Sequence, residues 1–274
     1  MQDKIKVEET KDRFGFQWNL LNDKFHAHFN EEFDEISPFI QKEDFAQKIV
    51  LDAGCGTGRI TDIAAKCGAK IAVGVDISPS VYAARINNVD NANAFIAQAD
   101  LNSLPFKPVF DIITSIGVLH HTPDAHKSFL NLGKYLKPGG RIEILIYAKE
   151  GSRVARIMMD VLRKFIYKRS HRVRNAISFI INIMLSIACG VYFWAMVIFN
   201  KRRLKSGKDY LIYLYHKGFI YRQVVILDNL STPIIHFFSR DEIASWFKEL
   251  EFENFKIKNR NNNTWCAYAE RPFK

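Results

Sequence analysis

Between Lys48 and Tyr147 the chain alternates short apolar runs with longer amphipathic stretches. "KIVLDAG", "KIAVGVD", "NAFIAQAD", "FDIITSIG" and "GRIEILIY" are rich in Val, Ile, Ala and Phe, and "GRITDIAAKCG", "SPSVYAARINNV" and "PDAHKSFLNLGKYLKPG" between them have helical character. Strands alternating with helices predict right-handed βαβ units and an α/β fold with a doubly wound, mostly parallel sheet covered on both faces. "LKPGG" predicts a helix end, with Lys137 in the last turn followed by Pro138 and two glycines. After Lys149 the pattern breaks for about eighty residues and then resumes. "SRDEIASWFKELEF" predicts a helix N-capped by Ser239, and "ENFKIKNR" and "TWCAYAERP" predict two closing strands. Residues 8–36 carry scattered aromatics at spacings that predict short amphipathic helices.

The 274 residues, 48% hydrophobic and 25% charged, fit a folded domain with an insertion rather than a disordered chain. Cys55, Cys67, Cys189 and Cys266 are widely separated and form no C-x-x-C pair, so neither a disulfide framework nor a zinc knuckle is expected, and a reducing compartment is. The charged N-terminal "MQDKIKVEETKDRFGFQWN" has no leader-like apolar core, which predicts a cytoplasmic location. The formal charge of +10 is unevenly placed. Residues 151–208 hold thirteen Lys or Arg and one acid, Asp160, while the rest of the chain holds 26 basic and 28 acidic residues. The basicity belongs to one segment.

"LDAGCGTG" ends the first predicted strand and opens the first helix, where Gly54, Gly56 and Gly58 permit a tight turn and close backbone approach to a ligand. The spacing is D-x-G-x-G-x-G rather than the dinucleotide G-x-G-x-x-G. Asp52 would repel a pyrophosphate there and favour an ammonium or sulfonium. Asp76, ending the second strand, is placed to accept from ribose hydroxyls, and Asp100, at the end of the third, to accept from an exocyclic amine. Three carboxylates along one sheet edge fit a cationic, ribose-bearing ligand.

In these features the chain resembles the class I S-adenosylmethionine-dependent methyltransferases, strongly over residues 48–148 and weakly over 237–272, and is similar in detail to the ubiquinone/menaquinone-biosynthesis type. The resemblance implies a Rossmann-like core binding S-adenosylmethionine. Asp52 and the Gly54–Gly58 loop would hold the methionine end, Asp76 the ribose, and Asp100 with the backbone of Leu101 the adenine; Cys55, Thr57, Ile77, Ser115 and Ile116 complete the implied cofactor contacts. "FDIITSIGVLHHTPDAHKSFLNLGKYLKPGGRIEI" looks like the family's fourth strand, following helix and fifth strand. The expected organisation is a helical lid (1–40), a cofactor-binding core (41–149), a basic and apolar helical insertion (150–236) and a C-terminal completion of the sheet (237–274).

His120 and His121 follow the fourth strand, beside the expected methyl position. His121 is the first candidate general base and His120 the second, a base being required only where the acceptor must lose a proton. Phe14, Gln17 and Trp18 are candidates for a lid that excludes water, and His216 and His236, flanking the end of the insertion, for acceptor contacts. No metal site is expected.

Residues 176–199, "AISFIINIMLSIACGVYFWAMVIF", contain no charge and exceed the roughly 18 residues at which a membrane span becomes a candidate. Both flanks are basic, so charge gives no orientation. A single span would also separate the two parts of one sheet. The segment is therefore expected as an interfacial helix or a buried cap, with true insertion the remaining alternative. Ser178, Asn182, Ser186 and Gly190 recur every fourth position and predict packing on another helix. Basic residues within 163–208 would attract anionic lipid at about 1 kcal/mol each. The expected partner surface is thus the inner membrane face, and the expected acceptor a small or lipid-like molecule, of quinone type or lipid-linked. RNA is the alternative acceptor, disfavoured because the basic residues surround an apolar helix rather than stacking aromatics. A non-catalytic adaptor retaining the fold is a third class, at odds with the intact loop and its three acids.

Overall fold

The computed structural model describes residues 5–16, 29–150, 153–198, 213 and 215–273. Seven strands form one sheet: β1 (Ile49–Ala53), β2 (Ile71–Asp76), β3 (Ala94–Gln98), β4 (Phe110–Ile116), β5 (Leu136–Tyr147), β6 (Glu253–Arg260) and β7 (Thr264–Glu270). Their spatial order is β3-β2-β1-β4-β5-β7-β6. The first five are parallel, and β7 enters antiparallel between β5 and β6. The chain reverses direction across the sheet between β1 and β4, the switch point at whose carboxyl end α/β sheets bind ligands.

Consecutive residues of the central strands enter opposite layers, as the two-residue pleat requires. Leu51, Ile113 and Ile144 join one core with Phe129 and Leu132 of α5 (Ala125–Tyr135) and Trp246 and Phe247 of α9 (Arg240–Glu249). Val50, Ile112 and Leu145 join the other with Phe33 and Ile36 of α2 (Phe29–Ile36) and Ile60 and Ile63 of α3 (Arg59–Lys66). A helix α1 covers residues 5–16, and α4 (Val81–Asn87) follows β2. The insertion folds as α6 (Arg153–Ile166), α7 (His171–Ile198) and α8 (Phe219–Ser231), with α6 and α7 both lying against α8. Ser239 caps α9 as expected, accepting from the Glu242 amide while the Glu242 carboxylate accepts from the Ser239 amide.

One boundary differs from the sequence reading. The helix before "LKPGG" ends at Tyr135, and Leu136–Gly140 already belong to β5, Leu136 pairing with Phe110 before a register shift. Two local constraints favour the extended path. Leu136 is fully buried, and Gly139, at φ +72°, lies so close to the Phe273 ring that a Cβ would fall 2.3 Å from it. The residues read as a helix stop form the bulged entry to a strand.

Glu143, fully buried in β5, holds the segment before β1 on the sheet. Its carboxyl accepts from Ser37 Oγ at 2.6 Å and from the amides of Phe39 and Ile40 at 3.2 and 3.1 Å. Burial outweighs these donors and pushes its pKa from 4.5 up to about 7. The native state therefore keeps a proton that the unfolded chain loses above about pH 4.5, so folding stability should fall as pH rises from 5 to 7, by about 2 kcal/mol. Urea unfolding across this interval measures the slope. Glu143→Gln, which cannot ionise, should flatten it; an equally steep slope would assign it to other groups.

Candidate functional site

The carboxyl ends of β1, β2 and β4 open into a cavity of about 330 Å³, within the range of small-molecule pockets. Its floor is the turn after β1. Gly54 and Gly56 have φ of +85° and +54°, and the Gly54 and Cys55 amides donate to the Val75 carbonyl at 2.7 and 2.9 Å. A Cβ at Gly54 would lie 2.3 Å from a Val118 methyl, so no larger residue fits there.

Asp52, Asp76 and Asp100 all line the cavity, as do Gly54, Cys55, Gly56, Ile77, Leu101 and Ile116. Asp52 Oδ2 accepts from the Thr61 amide at 3.0 Å and hydroxyl at 2.8 Å, which anchors it to the first turn of α3. Burial pushes its pKa up to about 6, and neighbouring Asp76 adds to the shift. Asp76 accepts from the Gly56 amide at 2.9 Å and the Ser78 amide at 2.7 Å, and burial raises its pKa as well. Asp100 is exposed, and its Oδ1 accepts from the Asn102 amide at 2.8 Å. Buried Asp52 and half-buried Asp76, whose ionised forms are penalised by desolvation, form with the turn of open backbone a site that a cation would stabilise.

Three expected cofactor contacts stand apart from the cavity lining. The Thr57 and Gly58 carbonyls accept from Asn87 Nδ2 and Asn88 Nδ2, and a Cβ at Gly58 would lie 2.6 Å from the Asn88 amide nitrogen. Gly58 thus serves helix packing. Ser115 is fully buried and donates to the Ala53 carbonyl at 3.0 Å, fastening β4 to β1.

On the acceptor side, His121 Nδ1 lies 2.9 Å from the Ile234 carbonyl oxygen. A carbonyl only accepts, so Nδ1 carries the hydrogen and the neutral ring keeps its lone pair on Nε2. Nε2 lies 3.7 Å from Asp228 Oδ2, which also accepts from the Tyr147 hydroxyl at 2.9 Å. Asp228 Oδ1 is buried without a partner among the described residues. His120 lines the cavity too, but its ring stacks on Tyr147 at 3.8 Å, and burial holds its pKa well below the ordinary imidazole value. His120 is a wall; His121 has the geometry of a base. Phe14 meets the His121 ring edge-on at 5.0 Å, and Val7 and Thr10 on the same face of α1 also reach the cavity. Gln17 and Trp18 lie outside the described residues.

The two other candidate histidines do not enter the cavity lining. His216 is exposed, and His236 is engaged through its backbone amide, which donates to the His120 carbonyl at 2.9 Å. The site instead draws on residues that the sequence reading passed over: Asp228 with Tyr221, Val224 and Val225 of α8, Tyr147 at the end of β5, and Arg260 and Thr264 of the closing hairpin. Tyr221, Val224, Val225 and Asp228 follow i, i+3, i+4, i+7 spacing, so one acid within an apolar helical stripe was the available signal.

A family model described as "Methyltransferase domain" matches residues 51–144. The chain is 38% identical over 101 residues to a tRNA U34 carboxymethyltransferase from Ruthia magnifica, covering 35% of this chain and 31% of the relative. It is 35% identical over 99 residues to a ubiquinone biosynthesis O-methyltransferase from Coxiella burnetii, covering 35% of this chain and 42% of the relative. The matches thus span less than half of either relative's length. Among solved structures, an S-adenosylmethionine dependent methyltransferase from Mesorhizobium loti aligns with a TM-score of 0.51 at 14% identity, over 88% of this chain and 97% of that one. A complex of the Haloferax volcanii Trm112 methyltransferase activator with a methyltransferase aligns at 0.52 and 15% identity, over 95% of this chain and 98% of the other. These structural likenesses establish the fold.

Asp76→Ala removes the acceptor that holds Gly56 and should weaken S-adenosylmethionine binding by about tenfold or more, read by calorimetric titration. Unchanged affinity would remove Asp76 from the site.

Proposed function

We propose that the chain, whose residues 51–144 match a methyltransferase-domain family model, is a class I S-adenosylmethionine-dependent methyltransferase that methylates a small or lipid-like acceptor through a hydroxyl or other group that gives up a proton, close to a membrane surface. The observation that carries this reading is the His121–Asp228 pair, with the His121 lone pair on Nε2 and the Asp228 carboxylate 3.7 Å from that same nitrogen. S-adenosylmethionine, when bound, supplies a methyl group already activated as a sulfonium. The residues fitted to hold it are Asp52, Asp76, Asp100 and the 54–56 turn, which offer acids and open backbone to a cationic nucleoside.

The chain's own contribution is then positioning, water exclusion and proton removal. The acceptor hydroxyl gives its proton to His121 Nε2. The imidazolium so formed can turn its new Nε2–H toward Asp228, itself steadied by the Tyr147 hydroxyl, so that the positive ring lies beside a carboxylate. Phe14, Val224 and Val225 furnish an apolar surround in which a methyl acceptor is desolvated and aligned. The likeness to ubiquinone biosynthesis O-methyltransferases supports a hydroxyl-bearing acceptor. The likeness to a tRNA U34 carboxymethyltransferase favours RNA as a second reading; it spans 31% of that relative and so bears on the cofactor core.

A panel of phenolic, amine and tRNA acceptors with labelled S-adenosylmethionine tests the proposal. Phenolic acceptors should be methylated, and His121→Ala should lower their turnover by about 10²- to 10⁴-fold with cofactor affinity unchanged. Asp228→Asn should give a smaller loss and shift the pH profile of turnover. Wild-type turnover in His121→Ala, or methylation confined to tRNA, would contradict it.

A further inference from the structure

The inserted hairpin buries a polar row and leaves a large apolar face exposed. The face of α7 against α8 combines a polar row with an apolar one: Ser178 and Asn182 are fully buried there, meeting buried Arg222 and Gln223, beside Ile177, Ile181 and Leu185 packed near Ile226 and Leu230. Arg222 Nε donates to Asn182 Oδ1 at 3.0 Å, Gln223 Nε2 to Ser178 Oγ at 2.8 Å, and an Arg222 guanidinium nitrogen to Ser186 Oγ at 2.7 Å. Gly190, the fourth member of that stripe, has nothing within 4 Å of a Cβ position and takes no part. The outward face of α7 presents Ile180, Met184, Ile187 and Val191, at i, i+4, i+7, i+11, and α6 adds exposed Val161 and Phe165. A helix of a water-soluble core has the opposite arrangement. Within His171–Val191, mean hydropathy reaches 1.5 over a window of which only 17% is buried, whereas the core helix of a soluble protein is mostly buried.

Charge selects the partner. The turn between α6 and α7 exposes Lys164, Lys168, Arg169 and Arg172 around Phe165, and the sequence holds no acid from 163 to 208. A second copy docking through the same face would bring like charges together, whereas anionic lipid headgroups complement them. A single membrane crossing is excluded by topology, because β5 before the insertion and β7 after it are hydrogen-bonded neighbours in one sheet.

We infer that the outer face of α6 and α7 seats on an anionic bilayer as an in-plane anchor, apolar side chains inserted and the basic turn among the headgroups. The opposite side of the anchor is α8, which also carries Tyr221, Val224, Val225 and Asp228 into the cavity. The anchor and the acceptor wall thus share one helix, so an acceptor dissolved in that bilayer reaches the site along α8. This route rests on the lipid-like acceptor reading; the docking itself is measured without turnover.

Full-length protein should co-sediment with phosphatidylcholine vesicles containing phosphatidylglycerol, less with phosphatidylcholine alone, and less as salt rises. The exposed-face variant I180D/M184D/I187D should lose vesicle binding by at least about tenfold. Calorimetric S-adenosylmethionine affinity and turnover of a water-soluble phenol should stay at wild-type levels, separating a failure of docking from a failure of catalysis. No binding to anionic vesicles, or full binding by the variant, would overturn the inference. So would lipid-free self-association that the variant abolishes, which would give the face to a second copy.

Discussion

The Asp76 carboxylate is the tie on which the ligand site depends. One oxygen takes the Gly56 amide at the apex of the first turn and the other takes the Ser78 amide beyond β2, so two loops leaving neighbouring strands are fixed to each other. The turn it fixes has little freedom of its own, since Gly54 is pressed against Val118 in a left-handed conformation. Asp52, anchored to Thr61 one strand along, completes an edge where a buried and a half-buried acid face one cavity. Their carboxyls are raised in pKa by burial, an unfavourable arrangement that a cationic ligand would relieve. Such a cost, which the Thr61, Gly56 and Ser78 donors do not offset, is characteristic of a binding site.

The second half of the site comes from a segment that is no part of the sheet. The insertion brings α8 over the cavity, and α8 carries Asp228 to within reach of His121 while its other side locks to α7 through amides and a guanidinium. Arg13 of α1 donates to the Ser231 carbonyl at 2.6 Å, joining the N-terminal helix to the same wall. The cavity is thus walled by two parts of the chain, and the match to the methyltransferase family model, residues 51–144, covers the sheet-edge part and not α8.

The strands and the cofactor edge were legible because their signals are local. Five parallel strands, the two closing strands and the Ser239 cap follow from apolar runs and punctuation, and Asp52, Asp76 and the glycine turn follow from position at strand ends. Where a local rule met a tertiary constraint it failed. "LKPGG" became a strand entry because Leu136 is buried and Phe273 covers Gly139, and Gly58, read as a ligand glycine, proved to be where α3 meets α4. Asp228 lay some hundred residues from His121, and nothing in spacing joins them. The Ser178–Asn182–Ser186 stripe did announce a helix partner, yet only the fold shows that Arg222 and Gln223 meet it and that a second apolar face points outward.

The most direct test of the central claim is calorimetric titration of the purified chain with S-adenosylmethionine, S-adenosylhomocysteine and NAD. A cavity edged by Asp52, Asp76 and Asp100 should bind the first two at about micromolar Kd and reject NAD, whose pyrophosphate would face those acids. Binding of NAD, or no binding of S-adenosylmethionine by demonstrably folded protein, would contradict the account.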